Sequence, residues 1–187
     1  PNGVVSGDLI VNGKKTKLTG SGYHDHNWGN TPLQYLFDNW VWFRGEIEDK
    51  TIVAAVLYMT DKRGGYDVPI LYIADSLKVH VNKFGEDGLY TRKSTRITDL
   101  YNKHNEPLFK ELDMITEDGF RVNIIGNSVI DNSNLFKRGR MPYPIRLAMG
   151  AAKIDPFYTR FDSEMSLSID GKAPKTGFGV FEIMDLK

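Results

Sequence analysis

The spacing of turn residues limits the fold more than any other feature of this chain. Asn12-Gly13, Glu48-Asp49-Lys50, Glu117-Asp118-Gly119 and Asp170-Gly171-Lys172 each separate two runs of aliphatic, aromatic and β-branched residues. Asn-Gly is the strongest short hairpin signal, because both central residues of a type I′ turn need positive φ. The pattern predicts a first hairpin in "GDLIVNGKKTKLTGSGYHDHNW", strands near residues 39–46 and 51–60, and short strands in "VPILYIAD" and "LKVHVNKF". "YTRKSTRITDLYN" alternates weakly, and hairpins follow in "FKELDMITEDGFRVNIIGNSVI" and "SEMSLSIDGKAPKTGFGVFEIMDL". Only residues 145–154 carry helix formers, and Pro142, Pro144 and Pro156 keep that helix short. The expectation is an all-β antiparallel barrel of roughly eight strands or more with one short helix.

Bulk composition excludes several classes of function. The 24 basic and 24 acidic residues balance, and no single-sign run stands out, so no nucleic-acid partner is expected. No apolar run approaches the ~18 residues of a transmembrane helix. With no cysteine, disulfides, thiolate catalysis and cysteine zinc sites are excluded, and the compartment is left undefined. The 187 residues suffice for one well-buried domain or a domain plus a fragment. The first residue is Pro1 rather than Met, so an N-terminal segment is expected to precede it.

An internal echo suggests how the chain divides. "LIVNGKKTKLTGSGYHD" near the start resembles "LSIDGKAPKTGFGVFE" at the end: an apolar strand, Asn/Asp-Gly-Lys, a basic stretch, Gly-x-Gly and then a carboxylate. Either the match is chance, or residues 1–30 are a hairpin that closes a preceding barrel while residues 31–187 form a barrel of their own. Glycines at such strand positions mark a bend or a close backbone approach.

The motif "GSGYHDHNWGN" concentrates titratable and aromatic groups where a buried strand would carry valines. If residues 23–28 are extended, His24, His26 and Trp28 share one face, and Tyr23, Asp25 and Asn27 share the other. Three readings stand. Two imidazoles at i and i+2 can reach one zinc or iron ion, but a third ligand is needed. His80 and His104 lack ligand spacing, which leaves Glu46 or Glu182, and no bound transition metal is expected. In the acid–base reading, His26 and Asp25 exchange protons with a substrate, since imidazole titrates near neutrality and a carboxylate beside aromatics is raised. In the structural reading the histidines bond to neighbouring groups and the tryptophans fill the core. Trp40 and Trp42 are again i and i+2, with Arg44 and Glu46 continuing the same row. Such a row is expected to line a barrel lumen that takes a largely apolar ligand, with Trp28 adding a further ring face. Tyr58 ends a strand that is apolar on both faces, so its buried phenol needs a polar partner.

These residues resemble a known family. "GSGYHDHNWG" is similar to the signature of the carotenoid 1,2-hydratase (hydroxyneurosporene synthase) group, itself similar to AttH-type lipocalin-like proteins, kievitone hydratase and fungal Diels–Alderases. "GFGVFEIMD" resembles the end of that family's chain. The resemblance implies two lipocalin-like barrels in tandem, of which residues 31–187 would be the second, and a preceding domain of the same protein as partner. It implies a hydrophobic small-molecule ligand of terpenoid, polyketide or flavonoid type, bound near the junction of the two domains. It further implies acid–base hydration, cyclisation or isomerisation without a redox cofactor. The family's proton-transfer His-x-Trp is matched by His26 and Trp28. Its Tyr-x-Asp is half matched: Tyr58 is followed by Met59 and Thr60 before Asp61, and on a strand that slip turns Asp61 to the opposite face. The departure weighs against carotenoid hydration and leaves an apolar-ligand site. The catalytic candidates are His26, Asp25, His24 and Tyr58; the substrate-binding candidates are Trp28, Trp40, Trp42 and Arg44. The competing expectation is a carrier or sensor that uses the same site without turnover.

Overall fold

The structure is a computed structural model that describes residues 2–85, 87–101, 107–135, 142–151 and 156–186. The chain falls into two compact units, Pro1–Asn30 and Thr31–Lys187. The first unit is a two-stranded antiparallel hairpin, β1 (Asn2–Val11) and β2 (Lys14–Tyr23). Its turn has the type I′ signature, with Asn12 at φ 50° and Gly13 at φ 77°. Val4, Val5, Leu9, Ile10 and Val11 are all exposed along β1.

The second unit is a nine-stranded antiparallel sheet curled into a nearly closed barrel. In chain order its strands are β3 (Phe37–Ile47), β4 (Lys50–Met59), β5 (Asp67–Ala74), β6 (Val79–Phe84), β7 (Leu89–Tyr101), β8 (Pro107–Thr116), β9 (Phe120–Asn134), β10 (Phe157–Ile169) and β11 (Lys175–Asp185). Each strand pairs with the next except at one seam, between β6 and β7, where β5 and β7 approach without a ladder. The first and last strands, β3 and β11, pair over eight positions from Asn39↔Asp185 to Glu46↔Phe178. This is the up-and-down meander predicted from turn spacing. The weakly alternating segment became a full strand, β7, because its partner β8 supplies the ladder. The one described helix, α1 (Tyr143–Ala151), starts two residues earlier than the sequence suggests, with Pro144 tolerated in its first turn. Residues 152–155 of the expected helix, and His104, lie outside the described residues.

Every one of the nine strands contributes to a single apolar core, which therefore fills the barrel interior. On β3 the inward residues are Val41, Phe43 and Ile47; on β4 they are Ile52, Ala54 and Val56; on β11 they are Phe181 and Ile183. Phe43, Phe181 and Phe161 stand side by side across β3, β11 and β10, with the Phe161 and Phe181 centroids 6.1 Å apart. This aromatic row fits only because glycines lie beneath it. A Cβ on Gly179 would sit 2.3 Å from the Arg44 carbonyl and 2.6 Å from Phe43 Cζ, and one on Gly45 would sit 2.6 Å from Phe43 Cζ. Gly-x-Gly in "TGFGV" is therefore a close-approach device, whereas in the hairpin Gly20 has open space where its Cβ would be, and Gly22, the counterpart of Gly179, would meet only the Val5 side chain.

Two polar devices stabilise the rim and the outside. Asp113, 3% exposed, is gripped by Arg121 through Nε–Oδ1 and Nη2–Oδ2 bonds of 3.0 and 2.9 Å. Asp75 closes the turn from β5 to β6: the N–H groups of Leu77 and Lys78 donate to its Oδ1 at 2.8 and 2.9 Å, and His80 Nε2 lies 2.6 Å from its Oδ2. The bond to His80, with the two backbone donors behind it, holds the Asp75 carboxyl well below the usual carboxylate range.

Gly179→Ala is expected to cost about 1–3 kcal/mol, the range for overpacking, while Gly20→Ala stays within about 0.5 kcal/mol of the parent. Urea denaturation of both variants checks the contrast. A carboxyl whose folded pKa is depressed stabilises above its unfolded pKa of about 3.9 and loses that contribution as pH falls below it. Asp75→Asn should therefore lower the melting temperature at pH 7 and narrow its gap to the parent under acid, as read by circular dichroism across pH.

Candidate active site

The end of the barrel where β3 starts and β4 ends holds Tyr58 and Trp40. Along β4, Ile52, Ala54 and Val56 point inward, so the period-two alternation sends Tyr58 inward as well, where it packs on the core. Tyr58 stands opposite Asn39 on β3 and Asp67 on β5. Burial pushes its phenol well above the usual tyrosine value, and the Asp67 charge adds to the shift. The hydroxyl therefore stays protonated at any working pH and can donate a hydrogen bond or a proton.

The same alternation sends Leu57 and Met59 outward. With Phe37, Val68 and Phe84 they line a cavity of about 550 Å³, which Tyr66, Asp67 and Gly85 complete. Its size falls within the ~300–1,000 Å³ of small-molecule sites, and its lining is mainly apolar. The Phe37 ring meets the Trp40 indole edge-on, with centroids 6.4 Å apart. Trp40, Trp42 and Arg44 stand opposite Leu57, Ala55 and Val53 of β4, so the tryptophans continue the outward face on which the cavity lies.

This corrects the expected direction of that row. The two indoles and Arg44 share a face, as their spacing requires, but the face is outward, because Val41, Phe43 and Ile47 occupy the interior. Beyond Trp42 the face becomes polar. Arg44 Nη2 lies 3.9 Å from Glu182 Oε1, Arg160 Nε lies 3.4 Å from the same oxygen, and Arg160 Nε also donates to the Tyr158 hydroxyl at 2.9 Å. Burial, followed by a hydrogen bond to Glu182, raises the Tyr158 phenol to about 12.

The histidine motif belongs to the first unit. Strand β2 ends at Tyr23, and residues 24–29 follow without regular structure and exposed. The expected two-sided grouping persists in part. Tyr23 Oη donates to Asp25 Oδ2 at 3.1 Å, and the His26 and Trp28 rings lie 5.8 Å apart. Trp28 is 87% exposed. His24 is exposed too, and Tyr58, Trp40, Trp42 and Arg44 all belong to the second unit. Asp61, the displaced acid, lies beyond the end of β4 in the 3-10 turn Asp61–Arg63 and is exposed, so strand alternation does not govern it. His80 is held by Asp75. Among the described residues no three His, Asp or Glu side chains converge as a metal-binding group, and no described helix is long and apolar enough to cross a membrane. The ladder also brings Asn39 and Asp185 into one row with Tyr58, two residues that sequence reasoning did not single out. Asp185 is signalled only as the third member of the alternation Phe181, Ile183, Asp185.

The fold is lipocalin-like, and solved proteins share it. Kievitone hydratase from Nectria haematococca superposes with a TM-score of 0.60 at 14% identity, over 96% of this chain and 49% of that one. CghA in complex with Sch210972 gives 0.63 at 9% identity, over 98% and 52%. An AttH-type protein from Nitrosomonas europaea gives 0.57 at 13%, over 98% and 50%. The chain thus spans about half the length of these proteins. In sequence it is 34% identical over 53 residues to the quinolone epoxide rearrangement protein of Emericella nidulans and 32% identical over 53 residues to that of Penicillium thymicola. Those stretches cover 28% of this chain and 14% and 15% of the two proteins. No family model matches the chain. At the level of the fold, the expected resemblance to kievitone hydratase and the AttH-type proteins is met.

If the outward cavity is a ligand site, filling it should abolish binding. Leu57→Trp is expected to remove most of the fluorescence enhancement of an anilinonaphthalene sulfonate probe. An unchanged far-UV spectrum would show that the fold is intact.

Proposed function

We propose that this chain is the barrel of a lipocalin-like enzyme that acts on an apolar secondary metabolite of terpenoid, polyketide or flavonoid type. The reaction class is acid–base hydration, cyclisation or isomerisation, in which the substrate's oxidation level does not change. The observation that carries the reading is an apolar cavity of about 550 Å³ with Asp67 in its lining, at the end of the barrel where Tyr58 stands opposite Asp67 and turns its phenol to the interior. The named activities of similar proteins support it: a hydratase by fold, and two epoxide-rearrangement proteins by local sequence. In this reading Trp40, Trp42 and Trp28 offer ring faces to the substrate, and Arg44 binds a polar group on it. Tyr58 donates a proton, His26 exchanges one, His24 assists, and Asp25 orients the motif through its bond with Tyr23.

The hairpin is part of the same proposal. Its exposed β1 valines support a role in closing a preceding barrel, as "TGFGV" closes this one. A carrier or sensor is the second reading, favoured by the mainly apolar cavity lining.

Turnover separates the two. The substrate is first identified by native mass spectrometry of the full-length protein with its co-purified lipophile. A proton relay contributes about 10²–10⁴-fold to rate, so His26→Ala should reduce conversion of that metabolite at least about a hundredfold at an unchanged melting temperature. Asp25→Asn should lower melting temperature first and activity second. Binding without conversion by the parent would favour the carrier.

A further inference from the structure

The outward cavity beside β4 has a chemical preference beyond its apolar character. Its wall is laid down in rows across neighbouring strands. Phe37 stands opposite Met59, and the Met59 N–H donates to the Tyr66 carbonyl at 3.1 Å, so the three follow one another from β3 to the entry of β5. Leu57 and Val68, also paired, form the next row. Phe84 joins from β6, opposite Ile70, where the Gly85 N–H donates to the Pro69 carbonyl at 2.7 Å. Three aromatic rings from three separate segments therefore border one space.

Two of those rings stay open to solvent. Tyr66 is 54% exposed and Phe84 65% exposed, whereas Phe37 is held by its edge-on contact with Trp40. Among the described residues no guanidinium or ammonium group stacks on Tyr66 or Phe84. The charge around the cavity has one sign. Asp67 lies in the lining between Tyr66 and Val68, and no Lys, Arg or His is among the described lining residues. Lys62 and Arg63 lie in the neighbouring 3-10 turn together with Asp61, and Lys83 is engaged by Asp118 at 3.5 Å. No described cation pairs with the Asp67 carboxylate. Register groups Asp67 with Tyr58 rather than with Val68, and Asp67 is exposed, so its charge acts on the cavity as a field at the mouth.

A negative field beside open aromatic faces disfavours an anion and favours a weakly hydrated cation. A metal ion needs several oxygen or nitrogen ligands, and no such group gathers among the described residues. We propose that this cavity selects an apolar metabolite that carries a cationic nitrogen, either a protonated amine or a quaternary ammonium. Tyr66 and Phe84 offer ring faces to the charged group at the mouth, and Asp67 supplies the opposite charge. Phe37, Leu57, Met59 and Val68 take the hydrocarbon body. This rests on the reading of the cavity as the substrate site and narrows its substrate class.

Three ligands of similar size and different charge test it: 1-naphthylmethylammonium, 1-naphthylmethanol and 1-naphthylacetate. Each is titrated calorimetrically into the full chain at neutral pH and low salt. The ammonium is expected to bind about tenfold more tightly than the alcohol, and the acetate most weakly. Asp67→Asn should weaken the ammonium about fivefold and the alcohol less than about twofold. Phe84→Leu should narrow the gap between ammonium and alcohol about threefold. Equal affinities, tightest binding by the acetate, or an ammonium preference that survives both substitutions would overturn the proposal. Leu57→Trp separates this failure from that of the site. Three ligands that bind equally, and are lost together in Leu57→Trp, would leave the cavity as the site and remove only its charge class. No binding, or binding untouched by Leu57→Trp, would remove the cavity reading as well.

Discussion

The barrel depends on the contact between Phe43 and the glycines of β11 and β3. Ladder bonds between β3 and β11 join the first and last strands of the sheet, and they form only if the two backbones approach with the Phe43 ring folded between them. Any side chain on Gly179 would meet either that ring or the Arg44 carbonyl. With the contact made, three phenylalanines stand side by side across β3, β11 and β10, and the interior fills with side chains from all nine strands. Closure by an aromatic ring over glycine is inexpensive in polar groups, because the ring brings none that would need a partner inside.

A filled interior decides where chemistry can sit. Aromatic and charged residues that cannot enter the core go to the outward face or to the rim. The tryptophan row of β3 and the Arg44–Glu182–Arg160 chain take the outward face. Tyr58, Asn39, Asp67 and Asp185 take the rim. The apolar cavity lies beside that rim, bounded by the outward residues that flank Tyr58 in sequence. One strand, β4, thus turns Leu57 and Met59 to the cavity and the buried Tyr58 phenol to the interior.

Much of this was legible in the sequence, and the limits have physical causes. Turn residues specify hairpins locally, so Asn12-Gly13 and Asp170-Gly171 marked their hairpins correctly, each with both residues at positive φ. Alternation gives two faces but not which of them is inside. Trp40 and Trp42 look more like lining residues than Val41 and Phe43, yet Phe43 has the glycine partners that admit it to the core. Alternation also fails where the strand ends, as it does after Tyr23 and after Met59, and that end is set by ladder partners distant in the chain. Asp185 was illegible for a related reason. Its neighbours Asn39 and Tyr58 come from strands far away in sequence, and only the ladder register brings them together. His80 carried no signal of its role until Asp75 was seen folding back over the turn to meet it.

The central claim is that proton donors and acceptors at the rim change an apolar metabolite without changing its oxidation level. High-resolution mass spectrometry of substrate and product from one turnover of the full-length protein tests it most directly. The account predicts a product of identical elemental composition, or one that differs by a single water. A product that differs from its substrate by two hydrogens would contradict it.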